Sequence, residues 1–247
     1  MTISSEADLA AMQRVGQLVA RTIAHMRLHV RPGVTTEQLD AIGERFARAA
    51  GARSAPQLTY EFPGFTCISV NEEIVHGVPG ARVIAPGDVV KLDVTLELDG
   101  YMADSAVTVL VPRVAPPAQR LQRAARIAFN RGLDAARVGR RLRVVGSAVE
   151  AAARREGMAV IRELEGHGIG RRPHEPPSVP NWGDPRAQGL LHDGLVIALE
   201  PMLTGAPARV VEETDGWTLR THDRTVAVHH EHTIVVRRGR PLVLTAA

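Results

Sequence analysis

Four acidic side chains and a few histidines of this chain stand where carboxylates and imidazoles can do chemistry. The stretch Val226–Val236, "VAVHHEHTIVV", packs three histidines and one glutamate into four consecutive positions of an otherwise apolar run. On a strand, successive side chains point to opposite faces. Thr225, Ala227, His229, Glu231, Thr233 and Val235 then share one face, and Val226, Val228, His230, His232, Ile234 and Val236 share the other. The three histidines cannot form a tripod on such a strand. Only His229 can stand beside Glu231.

A second set lies in Val89–Leu98, where Val90, Leu92, Val94, Leu96 and Leu98 alternate with Lys91, Asp93, Thr95 and Glu97. Asp99-Gly100 favours a two-residue turn, which sets Leu98 opposite Tyr101 and Thr95 opposite Asp104. Asp93 is then diagonal to Asp104, with backbones roughly 7–8 Å apart, so both carboxylates can reach a shared ion. Like charges so close repel unless a cation lies between them. Taken alone, the same pattern also describes a solvent-facing polar sheet face.

"EGHGIGRRPHEPP" adds His167 and His174. Gly166, Gly168, Gly170 and Pro173 argue against a helix and for a strand and turn whose backbone comes close to a site. Structural, hydrogen-bonded histidines fit that segment equally well. Glu200 ends the apolar run of "LVIALEPML", where a carboxylate is costly unless it is paired, metal-bound or carried out into water. A hard, carboxylate-rich set of Asp93, Asp104 and Glu200 gains more from a further oxygen ligand, Glu231, than from an imidazole.

These residues need elements to carry them. Leu9, Met12, Val15, Val19, Ile23 and Met26 predict an amphipathic helix ending before Pro32-Gly33. Thr35 and Gln38 suit a capping box for a second helix stopped at Gly51. Residues 66–111 read as β, about 117–156 as helical, and the remainder as a second β-rich block. Gly33 and Gly51 bracket one helix as Gly139 and Gly157 bracket another, with Leu39/Val145 and Gly43/Val149 at matching offsets. That echo suggests two similar halves, roughly 1–115 and 116–247, within one domain.

Composition narrows the class. With 247 residues and 45% apolar content the chain is long enough for one large core. Cys67 is the only cysteine, which excludes an intrachain disulfide and a multi-cysteine zinc knuckle. No run is long enough to span a membrane, and the N-terminus carries no export pattern, so a cytoplasmic location is expected. Lys91 is the one lysine, and the arginine clusters at 140–143, 171–172 and 237–240 read as solvated surface, with no RNA- or DNA-binding signature beside them.

The blocks "FPGFTCISVNEEIVHGVPG", "KLDVTLELDGYMADSA", "GHGIGRRPHEPPSVPNW", "ALEPML" and "HEHTIVV" resemble, in order and spacing, the signatures of type I methionine aminopeptidases. "VRPGVTTEQLD" and "DGWTLRTHDRTVAV" extend the likeness along nearly the whole chain. The short N-terminus is similar to the bacterial form without an N-terminal extension. The resemblance implies an α+β pita-bread fold, with two pseudo-symmetric αβ halves around a dinuclear metal site. Carried over position by position, it implies Asp93, Asp104, His167, Glu200 and Glu231 as ligands of two divalent ions (cobalt, manganese, iron or zinc), with a monovalent cation as a further candidate. It makes His76, His174 and Glu200 catalytic, puts Thr95 near the reactive water, and has Tyr60, Phe62, Cys67 and Trp217 line a methionine pocket. The implied substrate is the N-terminus of a nascent polypeptide with a small second residue. The implied protein is a monomer, with transient ribosome contact as a candidate and no DNA or membrane partner.

Three departures bear on specificity. "LTYEFP" is one residue shorter than the usual loop, Pro173 stands where some relatives carry an aromatic, and His229 replaces a glutamine. His229 is thereby expected to titrate beside Glu231 near neutral pH. The alternatives are a proline-directed aminopeptidase of the same fold and a non-catalytic pita-bread binding protein.

Overall fold

A computed structural model of the chain describes residues 1–246. Ser5 starts α1 (Glu6–Arg27) by accepting from the Asp8 amide, and the predicted stripe Met12, Val15, Val19, Ile23 and Met26 is buried. The expected capping box opens α2 (Thr36–Ala49): the Thr35 hydroxyl accepts from the Gln38 amide, and the Gln38 side chain accepts from the Thr35 amide. Gly51, at φ 84, takes the left-handed turn that follows. Next come β1 (Arg53–Ser54), α3 (Ala55–Tyr60), β2 (Cys67–Val70) and β3 (Glu73–Val75). Then β4 (Val89–Leu98) and β5 (Tyr101–Leu110) form the hairpin in the predicted register, Leu98 against Tyr101 and Thr95 against Asp104. Asp99 and Gly100 both have positive φ, 54 and 79, as this two-residue turn requires.

Helices return as α4 (Pro116–Ala135) and α5 (Leu142–Arg155). Like α2, α5 has 14 residues, follows a left-handed glycine and ends before another, Gly139 and Gly157. Leu39 and Gly43 of α2 and Val145 and Val149 of α5 are all buried. The strands that follow are β6 (Ala159–Val160), β7 (Glu165–Gly168), β8 (Glu175–Pro180), β9 (Val196–Leu199), β10 (Met202–Thr204), β11 (Val210–Glu212), β12 (Leu219–Thr221), β13 (Ala227–His229), β14 (His232–Val235) and β15 (Leu242–Val243).

Two sheets dominate. In one, β4 pairs with β1, β2 and β5; the other runs β15-β14-β9-β7-β8. Two three-stranded sheets, β13-β10-β6 and β11-β12-β3, accompany them. Val15, Val19 and Ile23 of α1 pack with Ile68, Leu92 and Val94 of the first sheet. Phe129 of α4 and Val145 and Val149 of α5 pack with Ile197, Leu199 and Ile234 of the second. Because strand residues alternate, the faces left over, carrying Asp93 and Thr95 on β4, turn toward the space between the sheets. No described helix is long and apolar enough to cross a membrane.

The run Thr225–Val236 is not one strand, contrary to the sequence expectation. Its first part, β13, pairs with β10, and its second, β14, pairs with β9 and β15. Between them the His230 amide donates to the Pro201 carbonyl at 3.2 Å and the Glu231 amide to the Ala106 carbonyl at 2.9 Å. The chain changes sheets here, and only the neighbouring strands decide that. The division of side chains survives the break: His229 and Glu231 face each other, with Nε2 and Oε2 3.6 Å apart, while His230 and His232 both lie against Phe129.

Asp40 on α2 fixes the lead into β2. Its carboxylate accepts from the Phe65 amide at 2.9 Å and from the Thr66 amide and hydroxyl, each at 2.7 Å. Asp40→Ala leaves these donors unpaired, and denaturant unfolding should show a loss of about 3 kcal/mol.

Candidate metal centre

Five segments converge on one cavity of about 200 Å³, lined by Val75, His76, Asp93, Asp104, Leu164, Glu165, Gly166, His167, His174, Ser178, Glu200, Met202 and Glu231. The hairpin supplies Asp93 and Asp104. Glu200 follows β9, Glu231 lies between β13 and β14, and His167 sits on β7, which pairs with β9. Asp104, His167 and Glu231 each offer one ligand atom within 4.8 Å of the others, as do Glu200, His229 and Glu231. His167 Nε2 is 3.3 Å from Glu200 Oε1, and His229 Nε2 is 3.5 Å from Glu200 Oε2.

The electrostatics of this cluster are unfavourable without a cation. Burial, then the mutual repulsion of the carboxylates, holds Asp93, Glu200 and Glu231 well above the ordinary carboxylate range. Burial also raises Asp104, although hydrogen bonding to the Thr95 side chain and the nearby His174 act the other way. The charge of Asp104 is among the causes that raise Asp93, so the two acids do not both ionise readily without a cation between them. Asp104 Oδ1 and Glu231 Oε1 are buried with no hydrogen-bond partner among the described residues. Buried acceptors of this kind cost free energy unless a donor or cation meets them. Divalent ions match the set: hard oxygen donors with one imidazole.

The neighbouring imidazoles are neutral. Burial, with further lowering by His174, brings His76 and His167 down to about 4. Burial also lowers His174, whose ring lies 4.2 Å from that of His167 and whose Nδ1 is 2.7 Å from the Tyr60 hydroxyl. His229 is 1% exposed and held down to about 3, mainly by burial. It therefore does not titrate near neutral pH as the sequence suggested. Position beside Glu231 was readable; complete removal from water was not.

Among the residues expected around the site, Thr95 is the cross-strand partner of Asp104, and Cys67 that of Asp93. Phe62 and Trp217 form an edge-to-face pair with centroids 5.2 Å apart. Tyr60, at the end of α3, is 39% exposed and bound to His174, so the shortened loop still delivers it to the site. Sequence reasoning missed Glu165, Ser178 and Met202. Alternation could have found two of them, since Glu165 lies two before His167 and Met202 two after Glu200. Ser178 required the β7–β8 pairing, which sets it opposite His167.

Comparison with known proteins agrees with this geometry. The sequence matches metallopeptidase family M24 over residues 10–238. Methionine aminopeptidase 2 of Bacillus subtilis is 38% identical over 247 residues, with 99% of each chain covered. Among solved structures, methionine aminopeptidase from Thermotoga maritima superposes with a TM-score of 0.96 at 32% identity, covering 100% of both chains. The enzyme from Rickettsia prowazekii gives 0.94 at 33% identity, covering 99% of this chain and 100% of its own. The pita-bread fold is thus shared along the whole length. With a cavity walled by acids and imidazoles, and with full-length relatives of this kind, the chain belongs to metallopeptidase family M24, among its methionine aminopeptidases.

Proposed function

We propose that this enzyme removes the initiator methionine from nascent proteins and peptides whose second residue is small, with Asp93, Asp104, His167, Glu200 and Glu231 holding two divalent ions. The observation that carries the reading is the convergence of four mutually repelling carboxyls and His167 on one cavity, with carboxylate oxygens left unpartnered. Asp104 and Glu231, each with a buried oxygen that has no partner among the described residues, would be central to holding the ions. Manganese, iron, cobalt and zinc all suit this donor set. When bound, the ions supply Lewis acidity and make a water nucleophilic near neutral pH.

The side chains do the rest. Glu200 takes the proton of the attacking water and passes it to the departing amine as the carbon–nitrogen bond breaks. Neutral His174 donates from Nε2 to the developing oxyanion, a contact worth about 3 kcal/mol. The Tyr60 hydroxyl donates to Nδ1 and so fixes the tautomer that leaves a proton on Nε2. His76, also neutral, donates near the scissile nitrogen. Phe62, Trp217, Cys67 and Tyr60 receive the methionine side chain, whose thioether is well matched to aromatic edges. The acidic cluster attracts the free α-amino group of the substrate, which limits cleavage to one residue at a time.

Tyr60→Phe tests the tautomer argument: kcat should fall about tenfold with metal uptake unchanged. A rise in KM alone would make Tyr60 a pocket residue only. The reading itself is tested with peptides. Metal-supplemented protein should release methionine from Met-Ala-Ser but not from peptides beginning Met-Lys, and Asp104→Asn should abolish release. Equal turnover of Xaa-Pro peptides would favour the proline-directed alternative, which the full-length relatives do not favour.

The same proposal includes a cytoplasmic monomer acting on emerging chains, with the exposed Arg140, Arg141, Arg143, Arg171 and Arg172 available for ribosome contact. It also includes one catalytic domain built by internal duplication, residues 1–115 and 116–247. In support, the α2 and α5 passages repeat in length, glycine boundaries and buried positions.

A further inference from the structure

Thirty residues of the chain are lysine or arginine, and Lys91 is the one lysine. It is 1% exposed. Its Nζ donates to the Asn71 carbonyl at 2.7 Å and the Ala227 carbonyl at 3.2 Å, with the Val89 carbonyl at 3.5 Å. Every one of these partners is a main-chain carbonyl. Burial is the main cause that pulls the ammonium down, to about 7, and Arg82 adds to it; the charges of Glu73, Glu72 and Asp88 act in the opposite direction.

A buried positive charge held by carbonyl dipoles is the setting that proteins give to a bare monovalent ion. An ammonium suits it because it is a compact point charge with three donors on a flexible stem. A guanidinium is a planar fork shaped for carboxylates. Arginine fills every other basic position, so the exception coincides with the one place where a small, round cation is needed.

The cage joins three segments. Asn71, at a left-handed φ of 56, turns the chain between β2 and β3. Its carbonyl also accepts from the Ala227 amide at 3.1 Å, and its amide donates to the Val89 carbonyl at 2.8 Å. Lys91 is two residues before Asp93 on β4, so the two side chains share a face. Ala227 opens β13, the strand that leads to Glu231. One cation thus ties the strand carrying Asp93 to the strand that delivers Glu231 from the opposite wall.

We propose that Lys91 is a built-in monovalent cation, occupying a carbonyl cage that would otherwise take a potassium or sodium ion and holding the two walls of the acidic cavity in register. Lys91 is a positioning residue. Its effect on hydrolysis rests on the function proposed above; its place in the cage does not.

The test compares the unaltered protein, Lys91→Ala and Lys91→Met in tetramethylammonium, sodium, potassium and ammonium chlorides at one ionic strength. Thermal midpoint and Met-Ala-Ser hydrolysis are both read. The unaltered protein should be indifferent to the salt. Lys91→Ala should be impaired in tetramethylammonium and regain at least about tenfold in activity, with a raised midpoint, as a small cation saturates the emptied cage. Lys91→Met, whose side chain fills the stem's space without a charge, should stay impaired in every salt. Salt-independent behaviour of Lys91→Ala, including failure to fold in all four salts, would overturn the proposal, as would a Lys91→Met protein equal to the unaltered one. Should the unaltered protein release no methionine, the function proposed above fails, and the midpoints still decide the role of Lys91.

Discussion

Glu231→Gln should lower divalent-metal affinity by at least about 100-fold while leaving a folded protein. The glutamine keeps the volume of the side chain but offers a weaker, neutral donor where a carboxylate oxygen now has no protein partner. Metal titration followed by calorimetry reads the loss directly. A second consequence separates this role from a structural one. In chelated protein the variant should melt higher than the unaltered chain, because one of four carboxyls that raise one another is gone. His232→Ala is the contrasting change. His232 packs on Phe129, and its Nδ1 lies 2.9 Å from the Thr245 hydroxyl, on the far side of the strand from the cavity. Its loss should cost about 2 kcal/mol of stability and leave metal uptake intact. Reversal of the two phenotypes would mean that the faces of the His229–His232 segment have been assigned the wrong way round.

Chelated protein should lose stability as pH rises, and bound metal should remove most of that loss. Asp93, Asp104, Glu200 and Glu231 are raised by burial above their unfolded values, so the native state holds protons that the unfolded chain has released. A raised carboxyl contributes fully below the unfolded pKa of about 4, and its contribution declines as pH climbs toward the folded pKa. Each carboxyl still protonated only in the fold removes about 1.4 kcal/mol per pH unit. Buried neutral histidines act in the opposite sense below about pH 6.5, where the unfolded chain gains their protons; Lys91, brought down to about 7, also acts in the opposite sense above that pH, but in metal-loaded and chelated protein alike. The useful window is therefore about pH 7 to 8.5. Groups away from the centre titrate alike in both forms, so the difference in midpoint between manganese-loaded and chelated protein isolates the cluster. That difference should widen with pH; a constant or narrowing difference would show that the acids are already ionised in the metal-free fold.

Much of the site was legible because its determinants are local. The alternation in Val89–Leu98 and the Asp99-Gly100 turn set the hairpin register, and with it the approach of Asp93 to Asp104. The capping box of α2 and its glycine stop are likewise written within a few residues. The split of His229 and Glu231 from His230 and His232 follows from side-chain alternation, and it holds even though the strand itself breaks. Glu200 was singled out by the cost of a carboxylate at the end of an apolar run, whereas the assignment of His167 to the same centre came from family resemblance, since no spacing in the sequence connects the two.

What the sequence by itself determined is the kind of chemistry and the local geometry: which carboxylates and imidazoles exist, which of them share a face, and where helices and turns begin. Tertiary structure alone decided who meets whom across the cavity and how dry each group is. It drew the Thr225–Val236 segment into two sheets, added Ser178 to the wall, and enclosed Lys91 among three carbonyls. It also sealed His229 from water, which lowers its proton affinity and removes the neutral-pH titration expected of it. The physical reason is common to all four: pairing between distant strands and desolvation depend on what packs from elsewhere in the chain, and neither leaves a period or spacing in the sequence that could be read beforehand.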